Sequence, residues 1–199
     1  MRLVTQAVEL RRNVNAAYSD AAAHPDGPHP FPVGRAFAEA VGYSAEILNR
    51  APAISVEAFT GVSNVSVFAE IAGGARVLDL GCGAGLDSLI AADRAGGAGH
   101  VVGMDFSASM LERARQARFE SGAEQVWFCR ADAERLPLPD GSIDVALVNG
   151  IFNLNPDRAA IFRELGRVVR PGGAVYAAEL ILREPLSPDQ RQSESNWFA

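Results

Sequence analysis

The chain is short of cysteine, of basic charge and of long apolar runs. Its 199 residues include only Cys82 and Cys129. Two such scattered thiols cannot build a disulfide framework, which predicts a reducing, cytoplasmic setting. The formal net charge is -6, with acidic and basic residues interspersed. No basic stripe is there to grip a phosphate backbone, so no nucleic-acid partner is expected. No apolar stretch approaches the roughly 18 residues of a membrane span. The opening MRLVTQAVELRRNVNAAY has apolar residues at helical spacing, interrupted by charges. It lacks the unbroken apolar centre of a secretion signal, and no membrane partner is expected. There is no internal repeat and no low-complexity block. Histidine is scarce. His24 and His29 fall in a proline-rich stretch and His100 opens a strand, none within a nucleophile–base pattern. No metal site is expected.

What the chain does have is apolar content: 48% of its residues are hydrophobic. That suits one globular domain of roughly 100–200 residues. The composition changes near residue 75. Residues 1–74 are irregular and read as a helical cap or lid segment. Within them AAAHPDGPHPFPVGR (21–35) holds four prolines and two glycines. It reads as a long surface loop, because proline removes a donor and disfavours helix in the residue before it. Short helices are expected near 36–41, 45–48 and 65–71.

Residues 75–184 are regular. RVLDL (76–80), HVVGMD (100–105), QVWFCRA (125–131), IDVALVN (143–149) and AVYAAEL (174–180) read as strands separated by helical patterns. Ser107 or Ser109 caps the second helix, with Ser109 and Glu112 spaced as a capping box. Asn155 before Pro156 reads as a helix start, and RPGG (170–173) as its stop. The alternation implies an α/β fold with a parallel, doubly wound sheet covered on both faces.

The first strand runs into Gly81, Gly83 and Gly85, with Asp79 two places ahead. Such a turn lets a ligand approach the main chain beside the free N–H groups of a helix start. Asp105 ends the second strand, where a carboxylate can accept from both hydroxyls of a ribose. A dinucleotide site wants Gly-x-Gly-x-x-Gly, and Leu86 stands at the third glycine's place. Asp79 suits a ligand with an ammonium group and repels a pyrophosphate. A tight turn in a ligand-free domain is the alternative.

Further motifs narrow the choice. LDLGCGAG, GMDFSASML, ADAERLPLPDGSIDVALVN and RVVRPGG together resemble the class I S-adenosylmethionine-dependent methyltransferases. The resemblance covers roughly residues 56–184. It implies a Rossmann-like sheet of that type, with S-adenosyl-L-methionine as cofactor. It implies that Gly81, Cys82, Gly83 and Gly85 bring the main chain against the methionine moiety, with Asp79 near its ammonium. Asp105 would hold the ribose and Phe106 the adenine face. Asp132 and the Ala133 N–H would read the adenine edge. Asn149 would face the methionine portion or the acceptor. Methyl displacement at a sulfonium needs alignment more than acid–base groups, and no catalytic residue is assigned.

FTGVSN, LDLGCGAGLDSLIAA, VNGIFNLNPD and AAELILREPL look closest to the arsenite methyltransferase branch. That branch carries cysteines where this chain has Val62 and Gly150. Cys82 and Cys129 read as small packing residues and do not compensate. The expected activity is therefore methyl transfer to another small-molecule acceptor. A degenerate or truncated cofactor-binding domain without transfer is the alternative. Five parallel strands are counted where the family has seven, and residues 185–199 read as a C-terminal tail. An uncovered edge at the fifth strand would invite homodimer pairing.

Overall fold

The computed structural model describes residues 2–181, with side chains from residue 7 onward. The 185–199 tail lies outside the described residues. All five expected strands form: β1 (Arg76–Leu80), β2 (His100–Asp105), β3 (Val126–Arg130), β4 (Ile143–Asn149) and β5 (Val169–Ala178). They make one parallel sheet in the order β3-β2-β1-β4-β5. The strand order reverses between β1 and β4, which creates a crevice at the strands' carboxyl ends.

β1 lies at the centre and is buried from Val77 to Leu80. Its alternation divides the core into two layers. Val77 packs with Val101, Val126 and Leu147 against Ala91 and Ala92 of the following helix. Leu78 and Leu80 pack with Met104, Ala146 and Val148 against Ile161, Leu165 and Val168. The helices around the sheet are α1 (Arg2–Ala23), α2 (Arg35–Ala40), α3 (Ala45–Arg50), α4 (Ala53–Glu57), α5 (Val65–Phe68), α6 (Leu86–Ala95), α7 (Ala108–Ser121) and α8 (Arg158–Val168). Met110, Leu111, Ala114 and Ala117 bury one stripe of α7, the 3.6-residue period that anchors an amphipathic helix.

Several boundaries differ from the sequence expectation. Ser107, not Ser109, caps α7: its hydroxyl accepts from Met110 N at 3.3 Å. α8 starts after Asp157, whose carboxylate accepts from Ala160 N at 2.9 Å. Asn155 instead donates to Ile151 O at 2.7 Å. A carboxylate is the stronger cap, because the helix dipole adds to the hydrogen bond. RPGG is drawn into β5. Val169 pairs with Ile143 and Ala174 with Val145, so residues 170–173 bulge opposite Asp144. Asp144 takes the guanidinium groups of both Arg76 and Arg170, which holds its carboxyl below the usual range.

The proline-rich stretch is shorter than expected, since α1 continues to Ala23. His29 braces it from within. Its Nε2 lies 2.8 Å from His24 O, and its Nδ1 3.5 Å from the Asp20 carboxylate. Phe31 then stacks on Tyr18 of α1 with ring centroids 4.6 Å apart. All 18 Lys and Arg positions are arginine, and several use the guanidinium fork to bind main-chain carbonyls of loops and short helices. Arg167 reaches Leu136 O and Leu138 O, and Arg113 reaches Ala22 O and Ile54 O.

Leu78 has no exposed surface and lies between β1 and α8. Leu78→Ala should lower stability by about 2–5 kcal/mol, measured by urea unfolding. A smaller loss would mean that the sheet's centre lies elsewhere.

Candidate active site

A cavity of about 460 Å³ opens at the switch point. Its floor is the turn from Gly81 to Gly85. All three of that turn's glycines have positive φ, 77°, 50° and 86° in chain order. Two are also sterically required. A Cβ on Gly81 would sit 2.2 Å from Ile151 Cγ2, and one on Gly85 would sit 2.9 Å from Phe128. Around Gly83 a Cβ would meet nothing nearer than 4.0 Å, so there the main chain itself is open to a ligand.

Asp105 ties this floor to its neighbour. Its Oδ2 accepts from Gly83 N at 3.0 Å and its Oδ1 from Ser107 N at 2.8 Å. Burial pushes its pKa up, against those donors, which pull it down. An ionised carboxylate has about four lone-pair sites. Each oxygen therefore keeps acceptor capacity for a ligand.

Of the other expected residues, Cys82, Phe106, Asp132, Ala133 and Asn149 also line the cavity. Phe106 keeps an exposed face. Asp132 accepts from Glu134 N at 3.0 Å, while its second oxygen takes Arg11 at 3.1 Å. Arg11 also pairs with Glu134. The Asn149 amide is fully occupied: it accepts from Val62 N and Ser63 N and donates to Ser63 O and Asp87. Burial and the charges of Asp79 and Asp105 push the Cys82 thiol up, so it remains a thiol. Cys129 lies on β3 and is not in the wall.

Asp79 is not in the cavity wall either. It is buried beneath α6, where Ser88 Oγ donates to it at 2.5 Å. Asp87 stands in the wall in its place. Asp87 accepts from Tyr43 Oη at 2.5 Å, from Asn149 Nδ2 at 2.8 Å and from the Ser66 hydroxyl. None of these donors is a cation. Desolvation, then the Asp87 charge, push Asp79 up to about 8. The site thus concentrates acidic groups where β1, β2 and β4 end.

The sequence points to a cap within residues 1–74 but reveals neither Asp87 nor which part of that segment forms the roof. The roof is α1, which lays Arg11, Val14 and Tyr18 over the cavity. The signal for Asp87 was an acid between Leu86 and Leu89 on the buried side of a helix start. For the roof the helical spacing of residues 1–18 was visible, but not where the helix docks. Val62 and Gly150, far apart in sequence, face each other: a Cβ on Gly150 would stand 3.0 Å from Val62 Cγ1.

A family model described as a methyltransferase domain matches residues 71–198. The chain belongs to this methyltransferase family. An arsenite methyltransferase from Halobacterium salinarum is 36% identical over 151 residues, spanning 76% of this chain and 38% of that protein. A demethylmenaquinone methyltransferase from Lactiplantibacillus plantarum is 37% identical over 129 residues, spanning 64% of this chain and 52% of that protein. Among solved structures, an arsenic(III) S-adenosylmethionine methyltransferase from Chlamydomonas reinhardtii matches with a TM-score of 0.63 at 28% identity. That match covers 87% of this chain and 58% of the other. The methyltransferase domain therefore has the class I fold and lies near the arsenite branch. It spans about half or less of the length of these curated relatives.

The raised pKa of Asp79 sets a pH dependence. The folded state holds this proton more tightly than the unfolded chain, whose value is near 3.8. Stability should therefore fall as pH rises from about 4 to about 8. Asp79→Asn removes that slope, so the variant should be the more stable protein at pH 9, compared by urea unfolding at pH 6 and 9. Parallel pH curves for the two proteins would show that Asp79 is already ionised in the fold.

Proposed function

We propose that this domain binds S-adenosyl-L-methionine in the cavity and transfers its methyl group to a small organic acceptor. The observation that carries the reading is Asp105, half-buried at the tip of β2 and in the cavity wall, with acceptor capacity left on each oxygen. Two ribose hydroxyls match that capacity. Phe106 supplies an apolar face for the purine, and Asp132 with the Ala133 N–H supplies a polar edge. The open main chain at Gly83 and the carboxylate of Asp87 suit an amino-acid ammonium and a sulfonium. A pyrophosphate would meet Asp87 and Asp105 without a cation between them.

The bound cofactor supplies a methyl on positively charged sulfur, which leaves as a neutral thioether. The protein's own part is to orient the partners and exclude water, and the roof of α1 serves both ends. Arsenite is a poor fit as the acceptor. Arsenic(III) favours thiolates, and the facing Val62 and Gly150 offer none. Among the described residues no cluster of His, Cys, Asp or Glu is arranged to hold a metal ion. A cytoplasmic location is supported by the two free thiols. Among the described residues β5 is an edge strand with Val175 exposed, which supports pairing with a second copy. Sedimentation should then give a dimer, and a monomer at high concentration would refute it.

Calorimetric titration should give binding of S-adenosylmethionine and S-adenosylhomocysteine and none of NAD. Asp105→Ala should weaken the former by roughly tenfold to over a hundredfold, the loss of about 1.5–3 kcal/mol for hydrogen bonds to a charged group. Unchanged affinity in that variant would remove the ribose from this position. Tight binding without transfer to any acceptor would favour a cofactor-binding domain lacking turnover.

A further inference from the structure

A second hollow, of about 50 Å³, adjoins the cavity and shares Tyr18, Thr60, Gly150 and Leu154 with it. At roughly 10–15 Å³ per water, it has space for one small ring. Topology sets its direction. Asp132 follows β3 at one sheet edge, Gly150 follows β4, and Glu179 follows β5 at the other edge. The annex therefore extends the cavity away from Asp132, past the glycine turn.

Its walls are chemically selective. Tyr18 and Phe31 stand stacked, and Phe37 and Val62 add apolar surface. Any side chain at Gly150 would crowd Val62. One carboxylate, that of Glu179, lines it. Backbone donors hold both of its oxygens: Leu180 N to Oε1 at 3.0 Å and Asn153 N to Oε2 at 3.1 Å. Among the described residues Glu179 makes no ion pair, and the Tyr18 hydroxyl makes no hydrogen bond. Burial, with the charges of Asp105 and Glu179, keeps that phenol protonated and hence a donor.

We propose that this annex holds the methyl acceptor, a planar single-ring molecule with an acidic hydroxyl, a phenol or enol, directed at Glu179. The proposal rests on the methyl-transfer reading above. A carboxylate favours a hydroxyl over an amine here. Beside an amine it would stabilise the ammonium form, which has no free electron pair to attack with. Beside a phenol it draws on the O–H proton and leaves a better nucleophile. The acceptor oxygen's pair forms the new bond to the methyl carbon. The carbon–sulfur pair stays on the departing sulfur, and the hydroxyl proton passes to Glu179 and on to water.

The test uses the full chain, catechol as probe, and cyclohexylamine and arsenite with glutathione as contrasts. Saturation-transfer NMR on protein loaded with S-adenosylhomocysteine should detect catechol, and Val62→Trp should weaken it by about tenfold or more. Cofactor affinity should be unchanged in that variant. With methyl-labelled S-adenosylmethionine, label should reach catechol. Glu179→Gln should cut kcat about a hundredfold with little change in KM. If Val62→Trp does not fold, the conservative Glu179→Gln variant decides. Cofactor binding with label passing only to the amine or to arsenic, or to nothing, would overturn the acceptor assignment and leave the cofactor site standing. So would catechol turnover indifferent to Glu179→Gln. Failure to bind S-adenosylmethionine at all would overturn the cofactor reading, and the acceptor with it.

Discussion

One half-buried carboxylate fixes the geometry of this domain's working end. Asp105 takes one N–H from the turn after β1 and another from the turn after β2. A glycine turn with three positive φ values is intrinsically loose, because glycine loses more backbone freedom on folding than any other residue. Holding Gly83 to the tip of the neighbouring strand removes that freedom where a ligand must meet bare main chain. The clamp also explains why Asp105 tolerates partial burial. Its two charge-assisted bonds offset part of the desolvation that raises its pKa.

The acids beside it are stabilised differently. Asp87 is surrounded by hydroxyls and an amide, with no cation in contact. Neutral donors compensate a buried charge only in part. Desolvation, and then that charge, push the neighbouring Asp79 carboxyl up. A region prepared in this way has residual negative potential and gains most from a positively charged guest. The electrostatics thus match a sulfonium–ammonium ligand in a way the fold alone does not, since folds of this class serve many chemistries.

The sheet was legible because its signals are local. Runs such as VLDL and VALV are bounded by glycine or polar residues, and the first four strands keep nearly the expected limits, while the fifth starts early because RPGG joins it. The glycine turn and Asp105 were legible for the same reason. What escaped depended on contacts between distant segments. Asn149 was read as facing a ligand, yet its amide is used up tying Val62 and Ser63 to Asp87. Asp79 is the acid that precedes the glycines and so the one the sequence puts near the ligand's ammonium, and only the packing of α6 on β1 shows that Asp87 reaches the wall instead. Asn155 lost the cap to Asp157 because charge outweighs the local proline signal. The docking of α1 over the cavity has no pattern in the chain, since helical periodicity says which face is apolar and not what that face will cover.

The Arg11 bridge is a weak tie in a prominent place. It fastens the roof to Asp132 and Glu134 on the turn that would receive the purine. Arg11 and Asp132 are each close to half exposed, and pairs in such surroundings are worth only about 0–1 kcal/mol. The nucleobase and the guanidinium would contend for the same carboxylate oxygen. What keeps this chamber covered is therefore mostly the apolar packing of Val14 and Tyr18, and added salt should cost it little.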